Sequence, residues 1–144
     1  MVTENMEDVF LEQSASYWVI DFDWYERNHR SFIESARRSV CSKCNEKLQK
    51  KKKKATLDDV LGSIKDCCAK TPDFITGKTP VMEGIFRILL ANGNQPLDVG
   101  EMGKQLSERR GDNTYTVSPH ILTRLLANDR WYGFKQVSKE NKSA

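Results

Sequence analysis

Four cysteines in two tight pairs, Cys41-Ser42-Lys43-Cys44 and Cys67-Cys68, constrain this chain more than any other feature of its sequence. Two thiolates three residues apart can grip one ion from a turn. A second pair from a distant segment can complete the tetrahedron and tie two stretches of chain together. Thiolate-rich sets favour zinc, so the expected centre is a structural zinc site at Cys41, Cys44, Cys67 and Cys68. The second pair is its difficult half, because adjacent residues on a helix point about 100° apart and can share an ion only where the helix ends or distorts. Otherwise one of them packs as a small apolar side chain, and His29, Asp66 or water serves as the fourth ligand. Two other readings stand beside the metal. A C-x-x-C pair can cycle through a disulfide where a helix N-terminus lowers a thiol pKa, and cysteines can simply pack. This pair is expected to follow a helix rather than open one, which disfavours redox chemistry.

A chain of 144 residues makes one compact domain or two very small ones, since units below roughly 80 residues struggle to bury enough apolar surface. Small halves need staples. Apolar runs fall short of the ~18 residues that a membrane span needs, and the acidic residues 1–12 do not lead into a signal-like apolar stretch. The expectation is a cytoplasmic protein without a membrane partner, in which thiols favour metal over disulfides. Net charge is only +3, but positive charge concentrates at Lys47 and at Lys50, Lys51, Lys52, Lys53 and Lys54. Such a run either contacts phosphate or forms a solvated loop, and no aromatic residue interleaves it. Phosphate loops, nucleophile elbows and histidine metal motifs are missing, so no enzyme is expected.

Residues 17–22 are aromatic and β-prone, reading as a short strand or an extended docking arm. Tyr17, Trp18, Phe22 and Trp24 are expected in the core beside the metal. Asp23 and Glu26 form an N-terminal signature, and Tyr25, Phe32, Ile33, Ala36 and Val40 extend it to a helix over residues 24–40 that delivers Cys41 and Cys44 at its end. A lysine-rich loop over 47–54 follows. Thr56 and Asp59 then open a helix running to residue 70, and Pro72 ends it. Residues 1–72 are thus a helical metal-binding module, and 73–79 a linker.

Beyond it, Thr79 caps and Pro80 starts a helix carrying Ile85, Phe86, Leu89 and Leu90, which Asn92-Gly93 stops. Gln95-Pro96-Leu97 is a short extended link, and Asp98 with Glu101 opens a second helix with Met102 and Leu106. Thr114-Tyr115-Thr116 is β-prone. Ser118-Pro119 opens a third helix on Ile121, Leu122, Leu125 and Leu126, residues 131–137 read as a strand, and 138–144 as a polar tail.

Helix, link, helix, turn, helix and aromatic strand over residues 79–137 resemble a winged helix-turn-helix domain. The Gln95–Met102 and Ser118–Leu122 stretches sit where that family starts its second and recognition helices. The resemblance implies double-stranded DNA as partner and a role in transcription regulation. His120, Thr123 and Arg124 would face base edges or phosphate, and Arg130 and Lys135 the backbone. It equally admits a protein partner, because winged helices also dock proteins and one fold hosts many functions. The family's second wing strand and basic hairpin are missing from the sequence, so the wing is either absent or reduced to the turn at Asn128-Asp129-Arg130. The expected fold class is mainly α: a cysteine-stapled helical module followed by a winged-helix-like domain with a small β-element.

Overall fold

Alternation of large apolar side chains makes Tyr17–Ile20 a strand, β1, with Trp18 and Ile20 buried and Tyr17 and Val19 half-buried. A computed structural model describes residues 16–111 and 117–138 of the chain. The acidic N-terminus, the polar tail after residue 138 and the β-prone Thr114-Tyr115-Thr116 lie outside these residues.

Asp21, not Asp23, caps the first helix, α1 (Phe22–Arg27), by accepting the Asp23 amide. The single helix expected over 24–40 is two. At Asn28 the chain leaves α1, His29 takes φ 54°, and Ser31 caps α2 (Phe32–Arg37) by accepting the Glu34 amide. A left-handed residue and a fresh serine cap stop one helix and restart another where the apolar spacing alone runs straight through. A third helix, α3 (Ser42–Gln49), takes up the first residues, 47–49, of the stretch expected as a lysine loop, so the irregular lysines begin at Lys50.

The capping box of Thr56 and Asp59 opens α4 (Leu57–Asp66), which passes through Cys67 into a 3₁₀ turn, Cys68–Lys70. Next comes α5 (Val81–Ala91), entered through Pro80; the Thr79 hydroxyl accepts the Thr76 amide instead of capping it. The two-residue β2 (Leu97–Asp98) leads into α6 (Val99–Arg110), capped by Asp98 and closed by Gly111 at φ 70°. Ser118 caps α7 (Pro119–Ala127), and β3 is the short strand Phe134–Val137. The fold is mainly α with one small antiparallel sheet.

That sheet has the order β2-β1-β3, so β1 is its central strand and not a free arm. Tyr17 pairs with Asp98 on one side and Val137 on the other, and Ile20 pairs with Phe134. Where β2 runs out, Asn94 continues the edge: its side chain accepts the Ile20 amide at 2.7 Å and donates to the Ile20 carbonyl at 2.9 Å. The turn before β3 is fastened from the same end of the chain. Asp129 gathers the amides of Trp131, Tyr132 and Gly133, while the Tyr25 hydroxyl donates to the Tyr132 carbonyl and Asp21 donates to that of Gly133. Arg30 donates to the Trp131 carbonyl and lies over its ring.

The core runs from Trp18 and Tyr25 through Ile64 and Ile85 to Leu122 and Leu126. Residues 73–79, expected as a linker, contribute buried Phe74 and Ile75, and Arg87 and Arg110 hold the Phe74 and Gly77 carbonyls. The stretch is therefore part of the packing that joins the two parts.

Gly133 sits at φ 71°, and a Cβ there would lie 2.6 Å from Trp24. Gly133→Ala should cost roughly 3 kcal/mol, combining left-handed backbone strain with overpacking. Gly62 lies in α4 with open space around it, so Gly62→Ala should stabilise by about 0.5–1 kcal/mol. Urea unfolding midpoints of the two variants should move in opposite directions.

Candidate metal centre

After α2 two tight turns, Ser39 to Ala36 and Val40 to Arg37, bring the chain to Cys41 in extended conformation. Cys41 is the N-cap of α3, its carbonyl accepting the Asn45 amide as the first helical bond. Arg37 steadies the junction by donating to the Asn45 side chain. Cys44 lies in the first turn of α3, and because helical side chains lean toward the N-terminus, its sulfur is directed back to Cys41. The pair therefore opens a helix, contrary to the expectation that it closes one, and it has the helix N-terminus that lowers a thiol pKa.

The other pair comes from the end of α4. Cys67 has φ −130° and ψ −64°, outside helical geometry, and the 3₁₀ turn starts at Cys68. This is the distortion that adjacent cysteines require if both are to approach one ion.

The sulfurs of Cys41, Cys44 and Cys68 lie within 4.8 Å of one another, Cys44 and Cys68 being buried. A tetrahedral ion with bonds of about 2.3 Å sets its sulfurs about 3.8 Å apart, so small side-chain rotations would close this triangle on a metal. The Cys41 amide donates to the Cys68 sulfur at 3.1 Å, the kind of outer bond that favours a thiolate ligand. Cys67 is not within 4.8 Å of all three sulfurs, but its thiol interacts with those of Cys41 and Cys44. His29, exposed after α1, and Asp66, exposed at the end of α4, do not join the triangle.

Electrostatics divides the thiols. The Cys44 backbone amide at the start of α3 lowers the Cys41 pKa to about 7, with further help from the Cys68, Cys44 and Cys67 thiols and against the cost of burial. Cys44 is pushed up, chiefly by its interaction with the Cys67 thiol and then by burial, and burial raises Cys68. A cavity of about 590 Å³ opens against Cys41, Cys67 and Cys68, and Arg38, Lys43 and Arg87 line it. Clustered sulfurs, a donated amide and nearby cations make a centre that could hold a thiophilic metal ion.

The residues expected to meet nucleic acid lie apart from this centre. Lys50 is the C-cap of α3, and Lys51, Lys52, Lys53 and Lys54 are exposed on the loop to α4. Lys51 is held at 3.0 Å by Asp59. On α7, His120 and Arg124 are exposed, and Arg130 is exposed in the following turn. Thr123 donates its hydroxyl to the Pro119 carbonyl of its own helix at 2.8 Å, and Lys135 lies 4.0 Å from Asp21. Of the four apolar residues that mark this helix in the sequence, Ile121 and Leu125 face outward at 49% and 39% exposure, while Leu122 and Leu126 are buried. Both i, i+4 pairs fit a helix, but only one of them can face α6 and the sheet.

No known protein family, curated protein or solved structure matches this chain. Among the described residues no helix is long and apolar enough to cross a membrane.

In metal-free, reduced protein, iodoacetamide should modify Cys41 with a midpoint near pH 7. Cys44 and Cys68 should remain protonated and slow above that pH, since both are shifted upward. Peptide mapping across a pH series checks this, and a Cys41 midpoint at the ordinary thiol value would remove the helix-terminus effect.

Proposed function

We propose that the chain is a non-enzymatic, zinc-stapled DNA-binding protein of winged-helix type with a role in transcription. The observation that carries the reading is the outer face of α7, which presents His120 and Arg124, bears no acidic residue and is followed by Arg130. A helix of that character suits a groove lined with phosphate. Thr123 drops out of the contact set, because its hydroxyl is engaged within the helix. Lys135 is held near Asp21 and stands as an outer backbone contact at most. Lys50, Lys52, Lys53 and Lys54 add exposed positive charge, whose contribution would be independent of sequence.

The element order α5, β2, α6, α7, β3 supports the winged-helix reading. In it β1 would replace the missing wing strand, and the exposed turn at Arg130 would stand in for the wing tip. Zinc would supply folding free energy, with Cys41, Cys44 and Cys68 as ligands and Cys67 as the fourth. The ion has no reaction to perform in this reading. Its work is to fix the start of α3 against the end of α4.

A second reading, protein docking through α7, draws on exposed Ile121 and Leu125, which line a small cavity of about 150 Å³ with Arg124 and Asn128. The aromatic arm first expected to share that role is taken up by the sheet.

Reduced protein should hold one zinc per chain, and Cys44→Ser should weaken zinc binding at least roughly 100-fold in competition with a chromophoric chelator, since it removes a direct ligand. Fluorescence anisotropy with random-sequence duplex DNA should show affinity falling steeply with salt. Arg124→Ala should weaken it and reduce the salt slope by about 1, and neutralising Lys50 to Lys54 should reduce the slope further. Absence of binding at low salt would leave docking through Ile121 and Leu125 as the surviving function.

A further inference from the structure

The cavity of about 590 Å³ beside the thiols has other lining groups, and most of the charged ones are cations. Arg38 is the C-cap of α2, Lys43 lies in the first turn of α3, and Arg87 reaches the cavity from α5, against the one carboxylate of Asp73. Arg38 and Lys43 are exposed, and neither pairs with an acidic side chain among the described residues. Arg87 is partly engaged: it donates to the Phe74 carbonyl and lies 3.7 Å from Glu83, while its Nε is buried without a partner. Two further features face the same space. Cys41 gives α3 no side-chain cap, so the amides of Ser42 and Lys43 that open the helix are left for another acceptor. Ser39 is 7% exposed, lines the cavity, and has no hydrogen bond from its hydroxyl to another described residue. Buried hydroxyls are normally paired, so one left open on a cavity wall points to a partner that enters the cavity.

We propose that this cavity binds a small phosphate ester, its phosphate held by Arg38, Lys43, the first amides of α3 and the Ser39 hydroxyl. Each of these groups is a donor, and phosphate offers acceptor oxygens to all of them. Backbone amides at a helix start and charged side-chain donors are the two kinds of group that hold phosphate best. The inference stands apart from the DNA reading, since none of these residues lies on α7.

The volume fits the ligand class, because small-molecule sites run from roughly 300 to 1,000 Å³ and the phosphate alone would leave room for an organic part. A small molecule also suits the recess better than a duplex does. Ser39 is buried on the cavity wall, whereas a DNA backbone carries its phosphates on a convex surface. The cations have one rival task, which is to balance the charge of the neighbouring thiolates.

The test is isothermal titration calorimetry of the full reduced, zinc-loaded chain with inorganic phosphate and then with ribose 5-phosphate. The expected result is one site per chain, with a Kd of about 1 mM or tighter for phosphate and a tighter one for the ester. Arg38→Ala and Lys43→Ala should each weaken binding about 10-fold, and Ser39→Ala about 5-fold, with helicity unchanged by circular dichroism. Lys104→Ala, exposed on α6, should leave it unchanged. Absence of saturable binding, or equal losses with Lys104→Ala, would overturn the proposal. Binding that appears only after zinc is stripped would assign the cations to the thiolates instead, and displacement of bound phosphate by duplex DNA would assign the contact to a nucleic-acid backbone. Either of these also overturns it. A chain that takes up no zinc fails the zinc reading alone, and its phosphate titration is judged on the same variants.

Discussion

The placement of β1 between β2 and β3 is the constraint on which the remaining packing depends. A central strand satisfies backbone groups on both of its edges, and this one draws its neighbours from the far end of the chain. With that register fixed, Trp18 and Ile20 enter the core, α1 follows directly, and Tyr25 reaches the turn before β3. Asn94 extends the same logic beyond the ladder, since its amide meets both polar groups of Ile20 as another strand would. The helices α5, α6 and α7 then pack against one another beside the sheet.

At the other end the packing is made of small pieces. The helices α1 and α2 have six residues each and α3 has eight. Isolated helices below about 12–15 residues are marginal in water, so these three must be held by what they touch. The thiol cluster holds α3 by its first turn and α4 by its last, across the lysine loop between them. An ion at that point would convert binding free energy into order for both helices. Stability and metal occupancy would then be one quantity measured in two ways.

Much of this was legible where one local signal decides one local structure. Thr56 with Asp59, Asp98 before Glu101, and Ser118 before Pro119 each name a helix start, and each is a cap in the structure. The two-pair cysteine pattern also brings three of its four sulfurs together as spaced. The reading failed where two signals overlap. Ser31 and Glu34 carry their own cap pattern, but the apolar run from Tyr25 to Val40 hides it, so two helices look like one. Cys44 and Leu48 mark the buried side of α3, yet the lysines around them read as loop. No local pattern states which strand pairs with which, and the central place of β1 is a property of residues at opposite ends of the chain. The outward turn of Ile121 and Leu125 belongs to the same class, because the choice between two apolar pairs on α7 is made by its neighbours.

The pairing of Tyr17 with Val137 has a consequence for how the chain is born. During synthesis β1 emerges well before β3, so the sheet cannot close until Phe134–Val137 has also left the ribosome. For that interval Trp18 and Ile20 have no strand beside them on the β3 side, and the strand edge is open to any passing chain. The cysteine cluster needs only the residues up to Cys68 and can assemble well before then. Metal capture would thus come first in time as well as in position along the chain, giving the nascent half an ordered end while its sheet waits for a partner.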